Sequence, residues 1–243
     1  MDTQKRMKID KWYRENAERY DLPNSEIPHR VPLLPFVDEK YFESDRLKVM
    51  HLGINAYVGE RDWADAKEDS WRGWARNDRY KFHKWMSKNQ AAFSNFSSAS
   101  YRTNLVKIFL PASTGKIATD VSQKILDKSQ ELLKDEIKLL QHLQVLPDII
   151  LCYGRKAWDG MWPIMFNNFN AKDLAKHRAF TAFIESKEVH VFQISHSSSR
   201  RRRVDAYKIV GEYREKIMKL KNLEQNEHAE ISVGEASELK IVK

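Results

Sequence analysis

From residue 46 onward short apolar runs alternate with longer amphipathic ones, and the alternation predicts strand followed by helix, four times over. LKVMHLGIN, closed by Gly53, reads as the first strand, followed by a polar loop and a tryptophan-rich stretch from Trp71 to Phe93. NLVKIFLP reads as the second strand. The clearest helix comes next: Asp120 can cap it, and Val121, Ile125, Leu126, Leu132, Leu133, Ile137, Leu140 and Leu143 share one face opposite a charged one. DIILCYG, after Pro147, is apolar without alternation, the pattern of a strand buried on both sides. A helix from about Arg155, strands AFTAFIE and VHVFQIS joined by the short ESKE turn, and a basic amphipathic helix from Val204 to about Leu220 complete the series. This order predicts an α/β fold of three layers, α/β/α, around a central, mainly parallel four-stranded sheet.

The flanks read differently. Residues 1–45 combine a polar amphipathic stretch (KIDKWYRENAERY) with Pro23, Pro28, Pro32 and Pro35, which forbid regular helix or central strand around them. This extension is expected to pack over the core, residues 46–222 to form the functional domain, and the polar tail 223–243 to be disordered.

Composition narrows the possibilities. With 243 residues, 42% of them hydrophobic, the chain can build one domain with a substantial core. It has no apolar run of about 18 residues and no apolar leader segment, so a cytoplasmic protein without a membrane partner is expected. A single cysteine, Cys152, excludes an internal disulfide framework, a four-thiolate iron–sulfur cluster and the paired cysteines of a zinc site or of the zinc nucleobase deaminases. No metal and no cofactor are expected. The net charge is +8, but residues 223–243 hold five glutamates against two lysines, so residues 1–222 carry +11. Such an excess suits a polyanion partner such as nucleic acid, although solubility alone explains it equally well.

In parallel α/β sheets the site lies beyond the carboxyl ends of the strands. The stretches there are GINAYVGERD, LPASTGK and HSSSRRRR. Gly53-Ile54-Asn55-Ala56-Tyr57, Thr103-Asn104-Leu105-Val106-Lys107, Ile149-Ile150-Leu151-Cys152-Tyr153-Gly154-Arg155 and His196-Ser197-Ser198 follow one another in the order of four motifs of the uracil-DNA glycosylase superfamily, which the chain resembles over roughly residues 47–205. Each motif alone is weak; their order and spacing carry the resemblance.

The resemblance implies a monofunctional DNA glycosylase, one that hydrolyses its substrate with a positioned water. Cleaving the bond between base and deoxyribose builds positive charge on the sugar and negative charge on the departing base. By resemblance, Asn55 holds the water and His196 stabilises the base's developing anion. Asn104 reads a pyrimidine edge turned out of the helix, and Tyr57 walls the pocket. Trp63, Trp71 or Trp74 supplies a stacking platform, and Ser197, Ser198, Ser199, Arg200, Arg201, Arg202 and Arg203 grip the flanking phosphates. Each residue also has an ordinary explanation: a turn asparagine, a loop histidine, a strand-end amide bonded to local backbone, core tryptophans, a solvated arginine run. Ala56 and Ser197 replace the prolines usual in the family, which loosens both loops, and the cluster cysteines of the thermostable branch are missing. The expected activity is release of uracil or a modified pyrimidine from DNA, leaving an abasic site, by a monomer, with DNA repair and antiviral defence both open as its role. Alternatives are defence against bacteriophage DNA carrying hypermodified cytosine, and a non-catalytic DNA-binding protein of the same fold.

Overall fold

A computed structural model describes residues 3–21, 30–43, 47–54, 57–58, 100–108, 110–111, 119–165, 179–184 and 187–194. Eight strands lie within them: β1 (Phe36–Val37), β2 (Val49–Gly53), β3 (Tyr57–Val58), β4 (Ser100–Asn104), β5 (Leu110–Pro111), β6 (Ile149–Tyr153), β7 (Ala179–Ile184) and β8 (Lys187–Ile194). The α-helices are α1 (Thr3–Ala17), α2 (Thr119–His142) and α3 (Arg155–Met165).

Six strands form one sheet in the order β1-β4-β2-β6-β8-β7, while β3 and β5 pair separately. Within the large sheet β2 is parallel to β4 and to β6, and β6 is parallel to β8. The edge strands β1 and β7 are antiparallel to their neighbours. The fold is α/β as expected, but the sheet is mixed and six-stranded rather than four-stranded. Two physical features account for the difference. A connection as short as the one between Ile184 and Lys187 permits only an antiparallel hairpin, because a parallel return needs a crossover of a dozen residues or more. And β1 is a two-residue edge strand inside a proline-rich segment, too short to leave a periodic pattern.

The second predicted strand is displaced. The sheet takes SYRTN, not NLVKIFLP, so Asn104 ends its strand instead of beginning it. Tyr101 and Thr103 are buried on one side of β4, and their alternation with Ser100, Arg102 and Asn104 suits a strand despite the polar composition. The apolar run behind it serves a different cluster: Val106, Ile108 and Leu110 pack with Tyr20, Ile125 and Leu132. α2 starts at Thr119, so Asp120 lies inside its first turn rather than capping it.

One face of the sheet supplies Met50, Leu52, Tyr101, Ile150, Cys152, Val189 and Val191 to the main core. Against it pack Leu133, Ile137 and Leu140 of α2, Ala157, Trp158 and Met161 of α3, and Ile9 and Tyr13 of α1. The N-terminal segment is therefore part of the core as well as a cover for it, since Leu34, Val37 and Tyr41 are buried there too. Ile9 and Tyr13, four residues apart, make this contact with Trp12 packed partly buried beside them, and the rest of the helix is largely polar, which is why its sequence looks polar.

α3 approaches the chain behind β4 closely. A Cβ built on Gly160 would stand 2.6 Å and 2.8 Å from the two methyl carbons of Leu105, itself buried. Gly160→Ala should lower stability by about 1 kcal/mol, the overpacking outweighing the better helix propensity of alanine. Urea denaturation should also show part of that loss recovered in Gly160→Ala/Leu105→Val; a more stable single variant would contradict the packing.

Candidate functional site

The registers of the parallel strands line up their last residues. Gly53 of β2 lies opposite Asn104 of β4, Leu52 lies opposite Cys152, and Tyr153 of β6 lies opposite Ile194 of β8. Asn104, Gly53, Tyr153 and Ile194 thus form a row along the carboxyl edge. With neighbouring strands about 4.8 Å apart, the row is about 14 Å long. After it the chain stays close at two points: Leu105 N donates to Gly53 O at 2.8 Å and Val106 N to Ile54 O at 2.9 Å, while Gly154 N donates to Ile194 O at 2.8 Å. Gly154 has φ 87°, the left-handed conformation that lets β6 turn directly into α3.

Asn104, at the β4 end of this row, carries its open polar group. Its side chain is 4% exposed, yet among the described residues its Nδ2 has no hydrogen-bond partner. Burying an amide donor unpaired costs about 1–3 kcal/mol, so such a group calls for a ligand or water to complete it. Its Oδ1 occupies the space where a Cβ at residue 53 would stand. Glycine at 53 is therefore a matter of room for the amide.

Beneath the row, on the same face of the sheet, lie further polar side chains. His51 Nδ1 and the Tyr153 hydroxyl are 2.8 Å apart, with their rings stacked at 6.0 Å. The Arg102 guanidinium lies 5.1 Å over the Phe36 ring, and burial lowers its pKa, an effect that the neighbouring Tyr153 and Asp38 oppose.

On the opposite face a closed polar network stands behind Asn104. Lys107 Nζ, fully buried, contacts Glu136 Oε2 at 2.5 Å, Thr103 Oγ1 at 3.0 Å and the carbonyl oxygen of Asn104 at 2.5 Å. Glu136 Oε1 accepts from the Tyr101 hydroxyl at 2.7 Å and from the Tyr13 hydroxyl. Tyr13 also meets Thr103 Oγ1 at 2.6 Å. Tyr20 joins by accepting from Lys107 N at 2.9 Å and contacting Ser129 Oγ at 2.9 Å. Burial lowers the Lys107 pKa against the opposing pull of Glu136, and burial raises Tyr13 and Tyr101 well above the usual phenol range.

Of the predicted site residues, Asn104 is placed as just described. The backbone of Tyr57 lies in β3, paired with Leu110 of β5. Asn55, His196, Ser197, Ser198, Ser199, Arg200, Arg201, Arg202, Arg203, Trp63, Trp71 and Trp74 lie outside the described residues. Lys107 and Tyr153 stand inside the quoted motifs without a role assigned to them, and His51 and Glu136 lie outside those motifs. Their common signal is polarity at apolar positions: Glu136 sits between Leu132 and Leu140 on the buried stripe of α2, and Lys107 interrupts an apolar run. Among the described residues no group of three histidine, cysteine or carboxylate side chains is placed to hold a metal ion, and no helix is long and apolar enough to cross a membrane. Comparison with known protein families finds no match to this chain, and comparison with curated proteins finds none either.

Two outcomes follow from this geometry. Gly53→Ala should lower stability by about 1–3 kcal/mol by displacing the amide, and the loss should shrink in an Asn104→Ala background; a double-mutant cycle in urea with no coupling would contradict the contact. The second concerns alkaline pH. Burial pushes Tyr20 up to about 12 and Tyr13, Tyr41 and Tyr101 well above the ordinary value. The folded state therefore keeps protons that the unfolded chain gives up near pH 10. Their contribution is fully present below that pH and is lost above it, by about 1.4 kcal/mol per pH unit for each tyrosine. The lowered Lys107 acts with the opposite sign, adding stability as pH rises towards about 10. Denaturation midpoints should fall steeply above pH 10, and less steeply in Tyr20→Phe.

Proposed function

We propose that this chain is a DNA glycosylase that hydrolyses the N-glycosidic bond of a uracil or modified pyrimidine turned out of DNA, leaving an abasic site. The observation that carries the reading is the buried amide of Asn104, whose Nδ2 has no hydrogen-bond partner among the described residues, held over Gly53 at the carboxyl edge of the sheet. A pyrimidine edge presents the carbonyl or ring-nitrogen acceptor that this donor lacks. Supporting it, the order of the four parallel strands puts the second between the edge and the first, so successive connections leave in opposite directions between β2 and β6. Ligands bind at such a switch point. Asn55 follows Gly53 by two residues and His196 follows Ile194 by two, so both continue from members of the same row.

In this mechanism Asn55 orients the attacking water, being too weak a base to deprotonate it fully before the bond breaks. His196 stabilises the negative charge that grows on the base. Arg200, Arg201, Arg202 and Arg203, with Ser197, Ser198 and Ser199, hold the phosphates on either side of the extruded nucleotide. The +11 charge of residues 1–222 favours that partner in general.

Single- and double-stranded oligonucleotides containing uracil, and DNA containing modified cytosines, should acquire alkali-labile breaks at the target base. His196→Ala should slow the release about 10²–10³-fold with little change in DNA affinity, and Asn55→Ala should abolish turnover while sparing binding. Gel retardation of these DNAs without any alkali-labile site would replace the enzyme with a DNA-binding protein. Full activity in both variants would place the chemistry elsewhere.

A further inference from the structure

We infer that Lys107, Glu136 and Tyr13 are positioning residues for Asn104, so that the N-terminal helix belongs to the recognition site without touching the base. The inference deepens the proposed function and rests on it for the identity of the substrate.

The argument begins with where the chain goes after β4. It leaves the sheet at Asn104 and bends so that Lys107, three residues later, brings its ammonium back to the carbonyl oxygen of Asn104 and the hydroxyl of Thr103. The third partner is Glu136 of α2, so all three donors of the ammonium are used. Glu136 is held in turn by the hydroxyls of Tyr101 and Tyr13. Tyr13 closes the ring by meeting Thr103, the residue before Asn104.

Every contact of this network with the strand falls on the two residues at its end or on Tyr101 two positions earlier. That placement separates positioning from generic stabilisation. A buried ion pair is a poor stabiliser, because an apolar group of similar volume often serves as well. What it supplies is a fixed direction: the clamp holds Asn104's main chain from one face, and the bare backbone of Gly53 receives Oδ1 from the other. Between them the Nδ2 donor is presented in one orientation. Discrimination by a hydrogen bond depends on that orientation, since a misdirected amide can no longer tell an acceptor from a donor on the base.

The test compares wild type with Lys107→Met/Glu136→Leu, in which both charges leave together and neither is stranded. Tyr13→Phe, which keeps the ring and removes only the hydroxyl, is the second variant and is read in the same way if the first does not fold. The Asn104 side-chain amide is followed in ¹⁵N–¹H spectra, assigned by its loss in Asn104→Ala. The release rate from a uracil-containing oligonucleotide is measured beside that from the matching cytosine-containing one. The expected result is an Asn104 amide signal that is single and sharp in wild type but shifted or broadened in the folded variant. The preference for uracil over cytosine should fall about tenfold, the loss of roughly one oriented hydrogen bond, while DNA affinity is retained. A folded variant with wild-type Asn104 signals overturns the inference. If wild type releases no base from either DNA, the glycosylase reading fails while the spectra still decide whether the network positions the amide.

Discussion

The ammonium of Lys107 has no access to water, and much of the surrounding architecture follows from satisfying it. A lysine in that position needs an anion and two further acceptors, which come from α2, from the side chain of Thr103 and from the main chain of Asn104. The anion, Glu136, then needs donors of its own, and two tyrosines from α1 and β4 supply them. Removing one partner of such a pair costs about 3–5 kcal/mol, because the other charge is left buried alone. Two helices distant in sequence, α1 and α2, are thereby locked to one strand end.

That strand end is where the sheet offers something unfinished. Parallel strands bring their carboxyl termini to one edge, and the register here sets Asn104, Gly53, Tyr153 and Ile194 side by side. Hydrophobic packing by α2 and α3 holds the sheet from one face, while the other face carries His51, Arg102, Asn104 and Tyr153 among its buried or half-buried residues. The polar face costs desolvation that a purely structural sheet would avoid. The Asn104 donor at its carboxyl edge, without a partner among the described residues, is the feature that a bound base would complete.

How much of this was legible beforehand depended on whether a residue's role was local. The buried strand DIILCYG and the long amphipathic α2 were plain, because continuous apolarity and helical spacing are properties of the segment itself. β4 was misplaced by several residues: its polar sequence fits a strand only once Tyr101 and Thr103 find Glu136 and Tyr13, partners that no local pattern reveals. Of the two antiparallel edges, β1 is too short to leave a pattern, while β7 was legible as the strand AFTAFIE and its direction followed only from the tightness of the turn after it. Asn104 was singled out by its motif, but the reason for Gly53 emerged only from the amide lying across it. Lys107 and Glu136 stand as charges in apolar surroundings, but their pairing spans a sequence separation of 29 and so could not be read from either position.

The central claim is that the open donor of Asn104 receives a nucleobase. A crystal structure of the chain grown with free uracil tests it most directly. The account predicts the base at the edge of the sheet, with one of its carbonyl oxygens about 2.9 Å from Asn104 Nδ2 and with Asn55 and His196 around the same cavity. A base bound elsewhere, or those three side chains directed into separate regions, would contradict it.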